Sequence, residues 1–491
     1  MKNWTAILAL TAALIGGGGS KAADRPNVLF ICADDLKPLL GCYGNKTIQS
    51  PNIDRLAKRG LLFERAYCNQ AVCAPSRNAL MTGLRPTSLG IYDLGTNFRR
   101  AVPEAVTFSQ YFMQHGYRAQ ALGKIFHVGH GNQEDPASWN VPHFPAKVIA
   151  YVLPESRANQ GLTREEALFA NQTDVAKLPR GAAYEAPDVP DDAYPDGALA
   201  NEVIRRLRAT RDKPAEPFFI AVGFVKPHLP FCAPKKYWDL YEPASFVVPA
   251  QRTAPEDAPK YAPTGWGEVR QYSDMPTAGP LSDEQARRMI HGYHASVSYM
   301  DAQLGRVLDE FDRLGLGTNT VVVLWGDHGW HLGDHGMWSK HSNYEEATRI
   351  PLLVVAPGVT KPGTRTSALA ETVDLYPTLA ELAGLPAPHV PQNLDGTSLV
   401  PVLRNPALAQ KNYSFHVFPR GERIGRAVRT ARHRLVEWKV PGAPPGSAEV
   451  ELYDYETDPL ETRNWAAEKP DIVNQMRAML ATQEAKRQMR S

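Results

Sequence analysis

Five cysteines in 491 residues are too few for a disulfide framework, and the odd count leaves at least one thiol unpaired or modified. Neither charge dominates: 54 Lys and Arg against 52 Asp and Glu give a formal net charge of +2. Without a strong overall field, no nucleic acid or anionic membrane is expected as the main partner. Past the N-terminus no segment stays apolar for roughly 18 or more residues, so no membrane span is expected in the mature chain. With 43% hydrophobic and 22% charged residues, wholesale disorder is excluded. What remains is a soluble globular chain, long enough for one large domain and a smaller one.

Lys2 precedes an apolar run over residues 4–15, followed by four glycines and then by Ala22 and Ala23. The run is too short for a bilayer span, which takes about 20 residues. Basic start, short apolar stretch and small residues together predict a secretory signal peptide over residues 1–22 or 1–23, and an exported chain, periplasmic or secreted. A frayed apolar terminus or a membrane anchor is the plainer alternative.

Three apolar runs end in the same way. Asn27–Ala33 stops at Asp34-Asp35, Phe218–Phe224 leads to Lys226-Pro227-His228, and the run from Thr320 to Trp325 leads to Gly326-Asp327-His328. Strands apolar on both faces belong inside a sheet covered by helices. Helical patterns over 52–60, 104–115, 198–211 and 282–315 alternate with them, which predicts an α/β fold with a large, mainly parallel sheet flanked by helices. Ligands of such sheets bind beyond the carboxyl ends of the strands, so the polar residues after the three runs point to one site. Residues 151–197 and 243–281 are rich in Pro, Asp and Ala and read as long surface loops or insertions. A Pro-rich stretch at 386–400 suits a boundary between a catalytic domain, 24–400, and a subdomain, 401–491. In the latter, four short strands over 413–455 and a helix over 469–488 predict a small antiparallel sheet with a terminal helix.

The most informative string is Cys73-Ala74-Pro75-Ser76-Arg77. Pro75 and Ser76 suit the first turn of a helix running to about Met81, and Cys73 then sits at its positive end, where a nucleophile or an anion is favoured. A buried structural cysteine beside a turn is the alternative.

The string resembles the sulfatase signature C-x-P-S-R, in which the cysteine is oxidised to formylglycine by a maturation enzyme. Asp34-Asp35, Gly123-Lys124-Ile125-Phe126-His127, Lys226-Pro227-His228, Asp327-His328-Gly329 and Lys340 fall in the order and spacing of type I sulfatases, within the alkaline phosphatase-like superfamily. Gly41-Cys42-Tyr43-Gly44 and Lys226-Pro227-His228-Leu229-Pro230-Phe231 are similar to the iduronate-2-sulfatase branch. The resemblance implies a sulfuric ester hydrolase acting on a sulfated carbohydrate, of uronic-acid 2-O-sulfate type. It implies a divalent cation, Ca²⁺ with Mg²⁺ as the alternative, held by Asp34, Asp35, Asp327, His328 and the modified Cys73; such a mostly oxygen ligand set suits a hard cation. It also implies that the hydrated formylglycine attacks sulfur with Asp327 as its base, that His228 protonates the leaving alcohol, and that His127 assists the elimination of sulfate. Lys124, Lys340 and Arg77 would neutralise the sulfate or orient the nucleophile. Trp330 and His331, with His341, are candidates for a sugar subsite, although Trp330 and Trp338 equally suit packing of the loop. An aryl- or choline-type sulfatase, a phosphonate or phosphodiester hydrolase and a non-catalytic carbohydrate binder are the competing readings. Of the other cysteines, Cys32 reads as a strand residue, while Cys42, Cys68 and Cys232 leave room for one disulfide.

Overall fold

The computed structural model describes residues 25–488 apart from 146, 160, 173, 265 and 266, so the expected signal peptide lies outside the described residues. In chain order the first strands are β1 (Asn27–Ala33), β2 (Leu61–Tyr67), β3 (Arg118–Gly123), β4 (Tyr184–Glu185), β5 (Phe218–Phe224), β6 (Phe231–Cys232) and β7 (Thr320–Gly326). They are followed by β8 (Arg349–Val355), β9 (Thr364–Glu371), β10 (Tyr413–Arg420), β11 (Arg423–Thr430), β12 (His433–Lys439) and β13 (Glu449–Asp454). Seven of these build the main sheet in the order β3-β5-β1-β7-β8-β2-β9. Every neighbouring pair is parallel except those of β8, which runs antiparallel to β7 and β2. The expected mainly parallel sheet is therefore present.

Alternation along β1 explains why its whole run is apolar. Val28, Phe30 and Cys32 enter the core on one face of the sheet, and Leu29, Ile31 and Ala33 enter the core on the other. On the second face lie the helices Pro195–Ala209 and Asp283–Arg313, which bury Leu199, Val203, Val297 and Leu304 against the strands. The longer helix begins at a capping box formed by Ser282 and Gln285, which satisfies backbone donors at its start. On the first face, Cys73–Thr82, Phe108–Gln114 and Leu375–Leu382 supply Leu80, Met81, Phe108, Phe112 and Leu379.

The tail forms the antiparallel sheet β10-β11-β12-β13. The helix Pro470–Gln488 lays Val473, Met476 and Leu480 on Phe415, Val428, Leu435 and Leu452. Polar contacts tie this layer to the loops above the main sheet: Asn69 donates to the Phe415 carbonyl, Asn343 to that of Gly425, and Arg434 pairs with Glu345.

Two expectations need correction. All five cysteines are free and buried; Cys42 belongs to a 3₁₀ turn, Cys68 follows the end of β2 and Cys232 lies in β6. The segments 151–197 and 243–281 are not plain surface loops; they carry the short helix Arg164–Phe169 and the turn Glu268–Gln271, both of which line a pocket above the strand ends.

Candidate active site

Register brings the candidate residues together. Ala33, the last residue of β1, is paired with Gly326 of β7 on one side and Phe224 of β5 on the other, and Gly123 of β3 is paired with Gly223. The chains leaving these four strands emerge side by side, carrying Asp34-Asp35, Lys124 and His127, Lys226 to His228, and Asp327-His328. Space between β3 and β5 is minimal there. A Cβ at Gly223 would lie 2.1 Å from the Lys124 carbonyl oxygen, and Gly123 has a positive φ of 75°, so glycine is required at both positions.

Cys73 is the first residue of its helix, reached through the loop after β2. Its Sγ lies 3.3 Å from His328 Nε2, 3.6 Å from Asp34 Oδ1 and 3.9 Å from Lys124 Nζ. One turn on, the wholly buried Arg77 donates through Nε to Asp327 Oδ2 at 3.0 Å and through Nη2 to Asp34 Oδ1 at 3.3 Å. Its Nη1 donates to the Lys124 carbonyl, while Lys124 Nζ donates to Asp34. Asp327 Oδ1 accepts the backbone N–H groups of Asp35 and His328. His228 sits between two cis X-Pro bonds in a turn tied by Lys226, whose Nζ donates to the carbonyls of His228 and Pro230. Asp196 anchors the start of that turn by accepting the N–H groups of Val225 and Lys226. Nδ1 of His228 is 2.5 Å from the Leu229 carbonyl, which assigns its hydrogen and turns Nε2 to the pocket. Lys340 reaches in from the loop after β7, with Nζ 3.2 Å from Asp35 Oδ1 and 3.4 Å from His228 Nε2.

The structure thus gathers the residues expected to bind the metal and to act on the sulfate. Ligand atoms of Asp34, Asp35, Cys73 and His328 lie within 4.8 Å of one another in a buried group that could hold a metal ion. Asp327 stands beside this group, occupied by Arg77 and two backbone N–H groups, with Oδ2 3.5 Å from His328 Nε2.

The titration behaviour follows from burial and charge. Burial, helped by the Asp34 charge, pushes the Cys73 thiol up to about 12 against the pull of Lys124 and Lys340. The helix terminus does not make it a thiolate, so an unmodified Cys73 is a poor nucleophile near neutral pH. Burial disfavours the Asp34 charge, but Lys124, His228 and Arg77 outweigh it and hold the carboxyl well below its usual range. Asp35 is raised well above the usual range by burial, which Lys340 and His328 do not offset, and Asp327 is raised by burial too. These two carboxylates are short of positive charge, as a donor set for a hard cation should be. Burial, then Lys340 and Lys124, lower His228; burial and Lys124 lower His127.

The pocket in front of Cys73 is completed by residues that the sequence pattern did not single out, among them His130, Glu165, Phe169 and Glu268. Glu268 lies 2.8 Å from Lys340 Nζ and 3.5 Å from His228 Nε2. It comes from a 3₁₀ turn in an aperiodic segment, where no local signal marks it. Trp330 and His331 do not line the pocket. Trp330 is 1% exposed and packs in the core, with Lys340 Nζ 5.1 Å from its ring centre, and His331 is buried on Ser342. His341 does line the pocket.

With this geometry in place, comparison decides the family. Residues 26–385 match the sulfatase family model, and 333–487 match the model of the N-sulphoglucosamine sulphohydrolase C-terminal region. The chain belongs to the sulfatase family. It is a sulfuric ester hydrolase, similar to the iduronate 2-sulfatase of Mus musculus (38% identity over 75% of this chain and 71% of the relative). The same enzyme of Homo sapiens is 32% identical over 91% of this chain and 92% of the relative. Its fold is shared with a protein solved in complex with its substrate D-glucosamine-2-N,6-O-disulfate, with a TM-score of 0.73 and 22% identity over 94% of this chain and 98% of that one. Among the described residues of this sulfatase, no helix is long and apolar enough to cross a membrane.

Proposed function

We propose that this sulfatase is exported, that its Cys73 is converted to formylglycine by a maturation enzyme, and that it removes sulfate from a sulfated carbohydrate of uronic-acid 2-O-sulfate type. The observation that carries the reading is the position of Cys73: the signature cysteine heads its helix with Asp34, His328 and Lys124 all within 3.9 Å of Sγ. The family relatives support sulfate as the group removed, and the iduronate 2-sulfatases among them support the sugar class.

Asp34, Asp35, His328 and the modified residue 73, with Asp327 adjoining, fit a hard divalent cation, for which Ca²⁺ is our assignment; bound there it would polarise sulfate oxygens and ease ionisation of the nucleophile. Hydrated formylglycine would supply the attacking hydroxyl. The other steps belong to side chains of this chain. Arg77, Lys124 and Lys340 offer positive charge to the sulfate. Asp327, whose proton affinity is raised by burial, takes the hydroxyl proton. Charged in the presence of the anionic sulfate ester, His228 would give its Nε2 proton to the leaving oxygen and keep its second hydrogen on Nδ1, where the Leu229 carbonyl fixes the ring. His127, with Nε2 3.2 Å from His130 Nδ1, assists release of sulfate from residue 73.

Mass spectrometry of the Cys73 peptide, made in a host that carries the maturation enzyme, tests the nucleophile. The expected species is the aldehyde; recovery of thiol alone refutes it. Desulfation of defined heparan, dermatan, chondroitin and algal oligosaccharides tests the substrate class. Activity confined to aryl or choline sulfate overturns the carbohydrate reading.

A further inference from the structure

One carboxyl in the pocket has no part in the chemistry above. Glu165 lines the cavity together with Cys73, His127, His228, Glu268 and Lys340. It is the second residue of the helix Arg164–Phe169, whose start is fixed by a capping box between Thr163 and Glu166. Glu166 is consumed by that cap, whereas the Glu165 carboxyl makes no hydrogen bond or ion pair among the described residues. The charged groups that face it are Arg164 on its own helix, Arg180 from the segment that follows, Glu268 from the Glu268–Gln271 turn and Lys340 from the loop after β7. Two of the three cations are engaged elsewhere. Lys340 is paired with Asp35 and Glu268, and Arg180 donates to the Arg270 carbonyl. A sugar ring presented to Cys73 therefore meets two carboxyl groups, one of them without a partner.

We propose that Glu165 reads the charge of the sulfated ring: protonated, it donates a hydrogen bond to a carboxylate on that ring, and ionised, it repels one. The inference rests on the carbohydrate reading and adds to it the group that discriminates between acidic and neutral sugars. A carboxylic acid donating to a carboxylate is among the stronger hydrogen bonds, whereas two carboxylates in a partly buried pocket repel. Burial, then the neighbouring Glu268 charge, raises Glu165 to about 7, so both forms are present near neutral pH. Below that value the group is already neutral. Above it, binding an acidic ring takes up one proton, and kcat/KM for that substrate falls by a limit of about tenfold per pH unit.

The test uses the mature full-length enzyme and two substrates, a 2-O-sulfated uronic-acid disaccharide and its carboxyl-reduced counterpart. The readout is the ratio of their kcat/KM values from pH 5.5 to 8.5, which cancels pH effects on the chemistry common to both. The ratio is expected to fall at least tenfold across the range in the wild type. It is expected to be flat in Glu165→Gln, which stays a neutral donor, and to keep a limb in Glu165→Asp, which still titrates. A flat ratio in the wild type, or an unchanged limb in Glu165→Gln, overturns the proposal. Failure to cleave either sugar, with an aryl sulfate still hydrolysed, would overturn the carbohydrate reading and this inference with it.

Discussion

Replacing Tyr293 with Phe removes one oxygen atom that holds the backbone of Asp35, a member of the proposed metal-binding group. Tyr293 is 1% exposed on the helix Asp283–Arg313. Its hydroxyl donates to the Asp35 carbonyl at 2.8 Å and accepts the Lys37 N–H at 3.0 Å. Asp35 has a φ of 61°, a left-handed conformation that costs a non-glycine residue about 1–2 kcal/mol. The hydroxyl bridges the backbone on either side of that turn and so holds the Asp35 carboxylate toward Asp34 and His328. In Tyr293→Phe a carbonyl and an N–H are left unpaired in the interior, at about 1–3 kcal/mol each, so about 2–6 kcal/mol in all. For a chain of this length the entropy of unfolding is on the order of 1 kcal/mol/K, which makes the expected fall in Tm only about 2–6 °C. The protein stays folded, and the larger effect falls on the site. Losing a partner that orients a ligand weakens metal binding by about 10–100-fold. Calorimetric melting, with Ca²⁺ titration of the chelator-treated protein, measures both effects. A fall in Tm with wild-type Ca²⁺ affinity would refute the positioning argument; an unchanged Tm would refute the hydrogen-bond accounting itself.

Other outcomes follow from named contacts. His228→Asn should lower kcat by about 10²–10⁴-fold on sugar sulfates and much less on sulfates of acidic phenols, whose oxygen leaves without a proton; equal losses on both would remove His228 from the leaving-group role. Arg434 is wholly buried with Nη1 2.6 Å from Glu461 and Nη2 2.7 Å from Glu345, so Arg434→Met strands the Glu461 carboxylate and leaves Glu345 with Arg429 alone. It should cost about 3–5 kcal/mol and lower Tm by about 3–5 °C. Burial alone would raise Glu345, but Arg429 and Arg434 hold it at about 2. Its contribution to stability is therefore present above the ordinary carboxylate value and is lost as pH falls toward about 2. Melting temperatures across pH 2–6 should show a shallower acid limb in Arg434→Met; an identical limb would contradict the pairing.

What the sequence displayed and what it hid divide along a physical line. β1, β5 and β7 are apolar on both faces because both faces are covered, and that burial is written into each run. β3 packs as deeply with Arg-Ala-Gln-Ala-Leu-Gly, small and polar residues that carry no strand signal of their own. β2 shifts register around Glu64 and Arg65, which breaks its alternation, and β8 contains Pro351. Their strand character comes from neighbours in the sheet.

The same line runs through the site. Asp34, Asp35, His228, Asp327 and His328 were legible because each follows an apolar strand closely, and parallel register forces strand ends together, whereas Lys124 after β3 was legible only through the family motif. Glu165 and Glu268 were not, because they reach the pocket on aperiodic segments whose return path is set by tertiary contacts. Trp330 sits three residues past Asp327, yet faces the core, since a loop has no period from which to read direction. The near-neutral net charge likewise conceals a local arrangement, in which Arg77, Lys124 and Lys340 are balanced by buried carboxylates and kept for one small anion. On the proposed reading, residues at the strand ends carry the sulfate chemistry, while the aperiodic segments bring Glu165 and Glu268 to the same pocket. A sequence therefore declares the reaction of this fold before it declares the substrate, and the charge-reading experiment at Glu165 addresses the part that periodicity cannot encode.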